Sequence, residues 1–168
     1  FDQLSVSLET FPFQSQNADR RGRRNMTDQA KVPIWFWIVS VLALLWNGAG
    51  VAAFIDQLTL TTADLAQMPE TKRAVFSGPP LWTMIAFGLA VLAGFLGSIF
   101  LLLRKKIAVS LFILSLAAVV VQLTSYFIVD GYLEYLNDQG WTMTVLIVVV
   151  AIALIWYSRS MARRGILR

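Results

Sequence analysis

The chain has 168 residues, 57% of them hydrophobic, a net charge of +4 and neither histidine nor cysteine; its mean hydropathy is +0.65. Soluble domains of this size average about 45–50% apolar residues, so the composition describes one membrane domain with a polar appendage. Lacking His and Cys, the sequence excludes the usual sites for zinc, copper, haem and iron–sulfur clusters, excludes disulfides, and removes the commonest general base.

Residues 1–31 form a polar and basic arm. Leu4, Val6 and Leu8 alternate with Ser5, Ser7 and Glu9, the period of a short strand, but an isolated polar arm is expected to be disordered. It carries Arg20, Arg21, Arg23 and Arg24 just before Met26. Met26 is the expected native start, with residues 1–25 an extension ahead of it. The arginines read as an orientation signal, with anionic-lipid binding as the alternative. An export signal fits poorly, because no cleavage site follows and the next apolar stretch is too long.

Residues 32–55 make the first span, entered through Pro33 and the interfacial cluster Trp35-Phe36-Trp37. Asn47 is its most polar member and should face protein, in an interhelical hydrogen bond worth about 0.6 kcal/mol and at most roughly 2 kcal/mol. A substrate or pigment contact is the functional alternative. The loop of residues 56–80 contains Thr61 with Asp64 three positions on, a capping pair, and Pro69-Glu70, which suits a second helix start. Leu65, Met68, Val75 and Phe76 give this loop an apolar underside.

Residues 81–103 and 107–129 are two charge-free runs of 23 residues joined by Arg104-Lys105-Lys106. At about 1.5 Å per residue each crosses the roughly 30 Å hydrocarbon core, so they are antiparallel neighbours with the triplet in water. In the first run Ala86, Ala90, Gly94 and Ser98 recur every four residues, flanked by Ala93 and Gly97. Such a ridge of small side chains lets another helix approach closely; it is expected to meet the first or third span, or a second copy of the chain. The other run carries Ser110, Ala118 and Gln122 on one stripe and Thr124 beyond them. Gln122 and Asn47 both lie about 16 residues from the basic ends of their spans, so a hydrogen-bonded pair between them is expected.

Residues 130–140 form a short acidic loop with Asp130, Glu134 and Asp138, expected to hold one turn of helix at most. A solvated face is the reading of these acids, and no metal site is expected. Residues 141–157 are the fourth span, whose apolar middle should be the most lipid-exposed surface. The tail, residues 159–168, adds Arg159, Arg163, Arg164 and Arg168. Twelve cations and four acids fall on the side of the triplet, against two cations and six acids on the other. That asymmetry orients both termini to the cytoplasm and accounts for the basic balance without nucleic acid.

No span contains Asp, Glu, Lys or Arg, which argues against a proton-driven mechanism. Neither a phosphate loop nor a nucleophile motif is present. No catalytic residue, cofactor or enzyme activity is therefore expected.

At Leu44-Leu45-Trp46-Asn47, Met68-Pro69-Glu70, Arg73-Ala74-Val75-Phe76, Pro80-Leu81-Trp82 and Leu101-Leu102-Leu103-Arg104-Lys105-Lys106, the chain resembles a group of small four-span bacterial inner-membrane proteins. The resemblance runs from about Lys31 onward, and members of the group are commonly labelled sugar transporters. It implies a bacterial inner-membrane location and no particular site residue.

The reading is an all-α integral membrane four-helix bundle in up-down-up-down order, with residues 32–158 as the membrane domain. Its expected partners are membrane lipid and either other membrane subunits or itself. As to function, an accessory or scaffold subunit of a larger complex is expected, and a small oligomeric solute transporter is the alternative. The transporter would need a cavity lined by Asn47, Ser98, Gln122 and Thr124. Arg104, Lys105, Lys106, Arg163 and Arg164 are assigned to orientation and lipid headgroups.

Overall fold

The computed structural model describes residues 32–139 and 141–168. The arm of residues 1–31, with its strand-like alternation, its arginine cluster and the proposed start at Met26, lies outside the described residues.

Four long helices carry the apolar runs: α1 Ile34–Leu58, α4 Leu81–Leu102, α5 Ile107–Ile128 and α7 Thr142–Arg163. All four are long and apolar enough to cross a membrane. Three short helices lie between them: α2 Thr62–Gln67, α3 Glu70–Phe76 and α6 Tyr132–Gln139. The chain is an all-α, multi-pass membrane protein.

Small residues set the helix order. α4 packs closely on both α1 and α5, and α5 packs on α7. Residue numbers fall along α4 as they rise along α1: Phe54 meets Gly88, Gly50 meets Val91 and Gly48 meets Phe95, so the two helices are antiparallel. The ridge of Ala86, Ala90, Gly94 and Ser98 is buried between α1 and α5, and so are Ala93 and Gly97. With lipid outside, close van der Waals contact of this kind holds spans together.

The fourth span is longer than its apolar run. α7 continues to Arg163, and Leu154, Ile155, Ser158 and Met161 on it are buried. Its middle is therefore not the most exposed surface. Only 11% of the most apolar stretch of α1 is buried, against 22% for α7; each has one close helix neighbour, and the far end of α7 is pinned.

That pin is the segment after α7, which the basic composition of the tail concealed. Gly165, at φ 70°, turns the chain out of the helix. Its N–H donates to Ala162 O at 3.1 Å and the Ile166 N–H to Met161 O at 3.1 Å, a Schellman closure that needs a left-handed residue. Ile166 and Leu167 then bury themselves at 3% and 1% exposure in one apolar cluster with Phe36, Leu101, Ala108, Phe112 and Met161. Arg104 closes α4 in the same way without glycine, at φ 58°. The Lys105 N–H reaches Phe100 O at 2.8 Å and the Arg104 N–H reaches Leu101 O at 2.9 Å.

The two closures are tied together. Arg168 donates its N–H to Arg104 O at 2.6 Å and accepts from the Lys106 N–H at 3.0 Å, while Arg104 Nε donates to Ile166 O at 3.0 Å. These bonds compensate the left-handed backbone of Arg104, which an L residue adopts at a cost of about 1–2 kcal/mol.

The opposite end is capped by the short helices. Thr61 and Asp64 form a reciprocal capping box at the start of α2. The Arg73 guanidinium closes the other end of α2, donating to Leu65 O, Ala66 O and Met68 O at 2.9, 3.0 and 2.9 Å. One of the two cations outside the basic end thus has a local structural role. The acidic loop holds two helical turns instead of one, because α6 has something to lie on. Tyr132 and Leu136, one turn apart, are buried; the Tyr132 hydroxyl donates to Val75 O at 3.3 Å and Tyr135 meets Phe76 edge-on at 6.1 Å. Burial pushes the Tyr132 and Tyr135 hydroxyls above the ordinary phenol range, so both stay neutral.

Replacing Leu167 by Ala should lower stability by about 2–5 kcal/mol, seen as a lower unfolding midpoint in detergent together with faster hydrogen exchange at the Lys106 amide. The capping box sets a second expectation. The Thr61 hydroxyl and backbone N–H hold the Asp64 carboxyl below its ordinary range, so its contribution is complete above the ordinary carboxylate pKa and is lost as pH falls through the lowered value. Acidification should therefore speed exchange at the Asp64 and Leu65 amides before the α4 amides respond, and Asp64→Asn should remove that pH dependence.

Candidate functional site

The polar groups inside the spans are the only chemistry available at membrane depth. Four fully buried serines, Ser40, Ser98, Ser125 and Ser158, donate to carbonyls three or four residues earlier in their own helices, at 2.7, 2.9, 2.6 and 3.1 Å. A hydroxyl satisfied in this way is compact and tolerates an apolar contact. These serines serve as small packing residues.

The exception is a network across three helices. Asn47 Nδ2 donates to Ala43 O at 2.9 Å and to Ser98 Oγ at 3.1 Å, joining α1 to α4. On the other side of α4, Ser115 Oγ donates to Ala90 O at 2.7 Å, joining α4 to α5. Gly94 lies between the two: a methyl group there would overlap Asn47 Oδ1 and come within 3.1 Å of Ser115 Oγ. Its absence of a side chain is what lets α1 and α5 approach α4 at one level. Just below, the Phe112 ring lies against Gly97, 3.0 Å from where a Cβ would stand.

This placement corrects the expected pairing of Asn47 with Gln122. Asn47 bonds to Ser98, and Gln122 Oε1 is buried with no hydrogen-bond partner. Counting residues from the basic ends misjudged both position and depth. α4 stands between α1 and α5, and Gln122 lies seven residues beyond Ser115, about 10 Å further along the helix. Thr124 is exposed and its hydroxyl donates to Val120 O at 2.9 Å. Ser110 is exposed as well, although Ala118 on the same expected stripe is buried. The four residues proposed to line a transport cavity therefore do not converge.

A recess lies elsewhere. Leu123, Tyr126 and Phe127 of α5 and Trp141, Thr144, Val145, Val148 and Val149 beside them line a half-open apolar recess of about 230 Å³. Its contact surface exposes no polar atom. Asp130, Glu134 and Asp138 do not converge either; among the described residues no three acids are grouped as metal ligands. Asp138 accepts from the Thr71 hydroxyl at 3.0 Å, fastening α6 to α3.

Lys105, Lys106, Arg163 and Arg164 are exposed at the basic end, whereas Arg104 is half-buried and turned to the Ile166 carbonyl. Ser115, Ile166 and Leu167 were not singled out by the sequence, and Arg73 was named only within the resemblance. Ser115 was legible, since it shares helical spacing with Ala108, Phe112 and Ala118. The other three act through long-range or loop contacts that leave no periodic trace.

No family model, curated protein or solved structure matches the chain.

The network predicts opposite outcomes for the two amides. Asn47→Leu should destabilise the protein by about 0.6–2 kcal/mol, whereas Gln122→Leu, which removes an unpaired buried acceptor, should be neutral or stabilising by up to about 1 kcal/mol. Gly94→Ala should cost about 1–3 kcal/mol through overpacking. Unfolding midpoints of the three variants in one detergent check the ordering.

Proposed function

We propose that this chain is a non-catalytic accessory or scaffold subunit that packs against a larger complex in the bacterial inner membrane, with both ends cytoplasmic. The observation that carries the reading is the closed polar interior. The Asn47 NH2 group and the Ser98 and Ser115 hydroxyls spend their donors on one another or on backbone carbonyls, and Asn47 Oδ1 lies against Gly94. The tight fit of Gly94 and Gly97 against their neighbours leaves no room for a passing solute. Such an interior suits a rigid structural element.

The exposed flank of α1 supports the packing role. Ile38, Leu42, Leu45 and Trp46 share one exposed face of a helix with one close neighbour. Trp and Leu clusters at membrane-protein surfaces serve lipid and subunit contact alike. The bacterial location follows the resemblance described above, and the orientation follows the cation asymmetry.

A solute transporter is the second reading, and one observation favours it: Gln122 Oε1 is buried and unpartnered, an acceptor that a sugar-like hydroxyl would satisfy. In that case the pathway would form between copies.

Purification in mild detergent from the native membrane, followed by identification of stoichiometric companions, separates the two. The subunit reading expects larger membrane proteins to travel with the chain, and expects Asn47→Leu/Gln122→Leu to remain assembled. Recovery of the chain with copies of itself alone, and solute flux abolished by that double variant, would replace it. For orientation, an impermeant amine reagent applied to intact spheroplasts should label Lys72 and spare Lys105.

A further inference from the structure

We propose that Lys105, Lys106 and Arg168 form a binding site for the phosphate of an anionic phospholipid, assembled when residues 166–168 dock on the turn between α4 and α5. Three observations carry it.

The first is convergence. Arg168 bonds through its N–H to Arg104 O and through its C=O to the Lys106 N–H, the bonding of one rung of a parallel ladder centred on Lys105. Neighbouring strands in such a rung lie about 4.8 Å apart. Two stretches of sequence more than 60 positions apart thereby bring the backbones of three exposed cationic residues side by side. The docking is anchored by Ile166 and Leu167 in the apolar core, so the cluster is a property of the fold.

The second is charge. Every acid of the described residues, Asp56, Asp64, Glu70, Asp130, Glu134 and Asp138, lies at or beyond the opposite ends of the spans. Among the described residues, then, no Asp or Glu side chain lies at the basic end with Lys105, Lys106 and Arg168. Arg104 is engaged with Ile166 O and fixes the turn instead of joining the cluster.

The third is depth. Leu103 and Ile107, on either side of the triplet, are 59% and 52% exposed, and Trp156 near the same end of α7 is 68% exposed. Apolar side chains so exposed belong in hydrocarbon and an exposed Trp belongs at its boundary. That boundary holds the neighbouring ammonium and guanidinium groups at the height of the lipid phosphates, with the aliphatic stems of the lysines running along the lipid. A soluble anion would have to reach the cluster through the headgroup layer, whereas a lipid phosphate is already there.

At about 1 kcal/mol per cation near an anionic surface, each charge removed weakens binding about fivefold. The test uses the purified full chain in an uncharged detergent, with the unfolding midpoint followed by tryptophan fluorescence during titration with phosphatidylglycerol, phosphatidylcholine or sodium phosphate. Phosphatidylglycerol should raise the midpoint, and neither of the others should. Lys105→Gln/Lys106→Gln should weaken the apparent affinity roughly 25-fold, Arg168→Gln about fivefold, and Arg159→Gln should leave it unchanged. Leu167→Asn, which releases Arg168 from the turn, should weaken it as Arg168→Gln does. An equal response to sodium phosphate would make the ligand a free anion and overturn the lipid assignment. An affinity unchanged in the double variant, or reduced as much by Arg159→Gln, would show diffuse surface charge and overturn the site.

Discussion

A polar group carried into hydrocarbon has no water to bond with, so each one must find its partner inside the protein. The protein meets this constraint with very small side chains. Ser40, Ser98, Ser125 and Ser158 bond to carbonyls of their own helices, and the long amide, Asn47, is held where Gly94 gives it space. Because α4 presents Ala90, Gly94 and Ser98 to its neighbours, three helices come close enough for Asn47 and Ser115 to bridge them. Close approach and polar satisfaction are thus one solution. Gln122 is where that solution is incomplete, and its unpaired oxygen is the one buried polar side-chain atom left over among the described residues.

At the ends of the spans water returns and the rules change. The basic end is closed by backbone geometry: two left-handed residues, Arg104 and Gly165, turn the chain out of α4 and α7, and residues 166–168 bond across to the α4–α5 turn. The same contacts that seal the apolar cluster around Phe36 and Leu101 bring cations from distant parts of the chain together. The acidic end is closed by helices instead. Arg73 gathers three carbonyls at the end of α2, and α6 lies on α3 through Tyr132, Tyr135 and Asp138. A rigid core with two differently built ends suits a protein whose contacts with its surroundings are made by lipid-facing flanks and charged rims.

The candidate site was legible in part. Asn47 and the ridge through Ser98 stood out because an amide among apolar residues, or a small residue every four positions, is visible in one helix at a time. The partner of Asn47 was not, since a hydrogen bond between helices depends on their lateral order and on their offset along the membrane normal, and neither quantity is written in a single span. Tyr132 and Leu136 illustrate the same point outside the spans: two apolar residues in an acidic loop are too few to announce a helix, and α6 forms because α3 supplies a surface for it.

The sequence by itself determined the four spans, the bends between them and the sorting of charge to two ends, because length, hydropathy and the hydration of Lys and Arg are local quantities that add along the chain. The tertiary structure alone decided that α4 sits between α1 and α5, that Asn47 bonds to Ser98, that α1 instead of α7 is the most exposed span, and that the basic tail buries Ile166 and Leu167. Each of these depends on contacts between residues far apart in sequence, whose free energy exists only once both surfaces are formed.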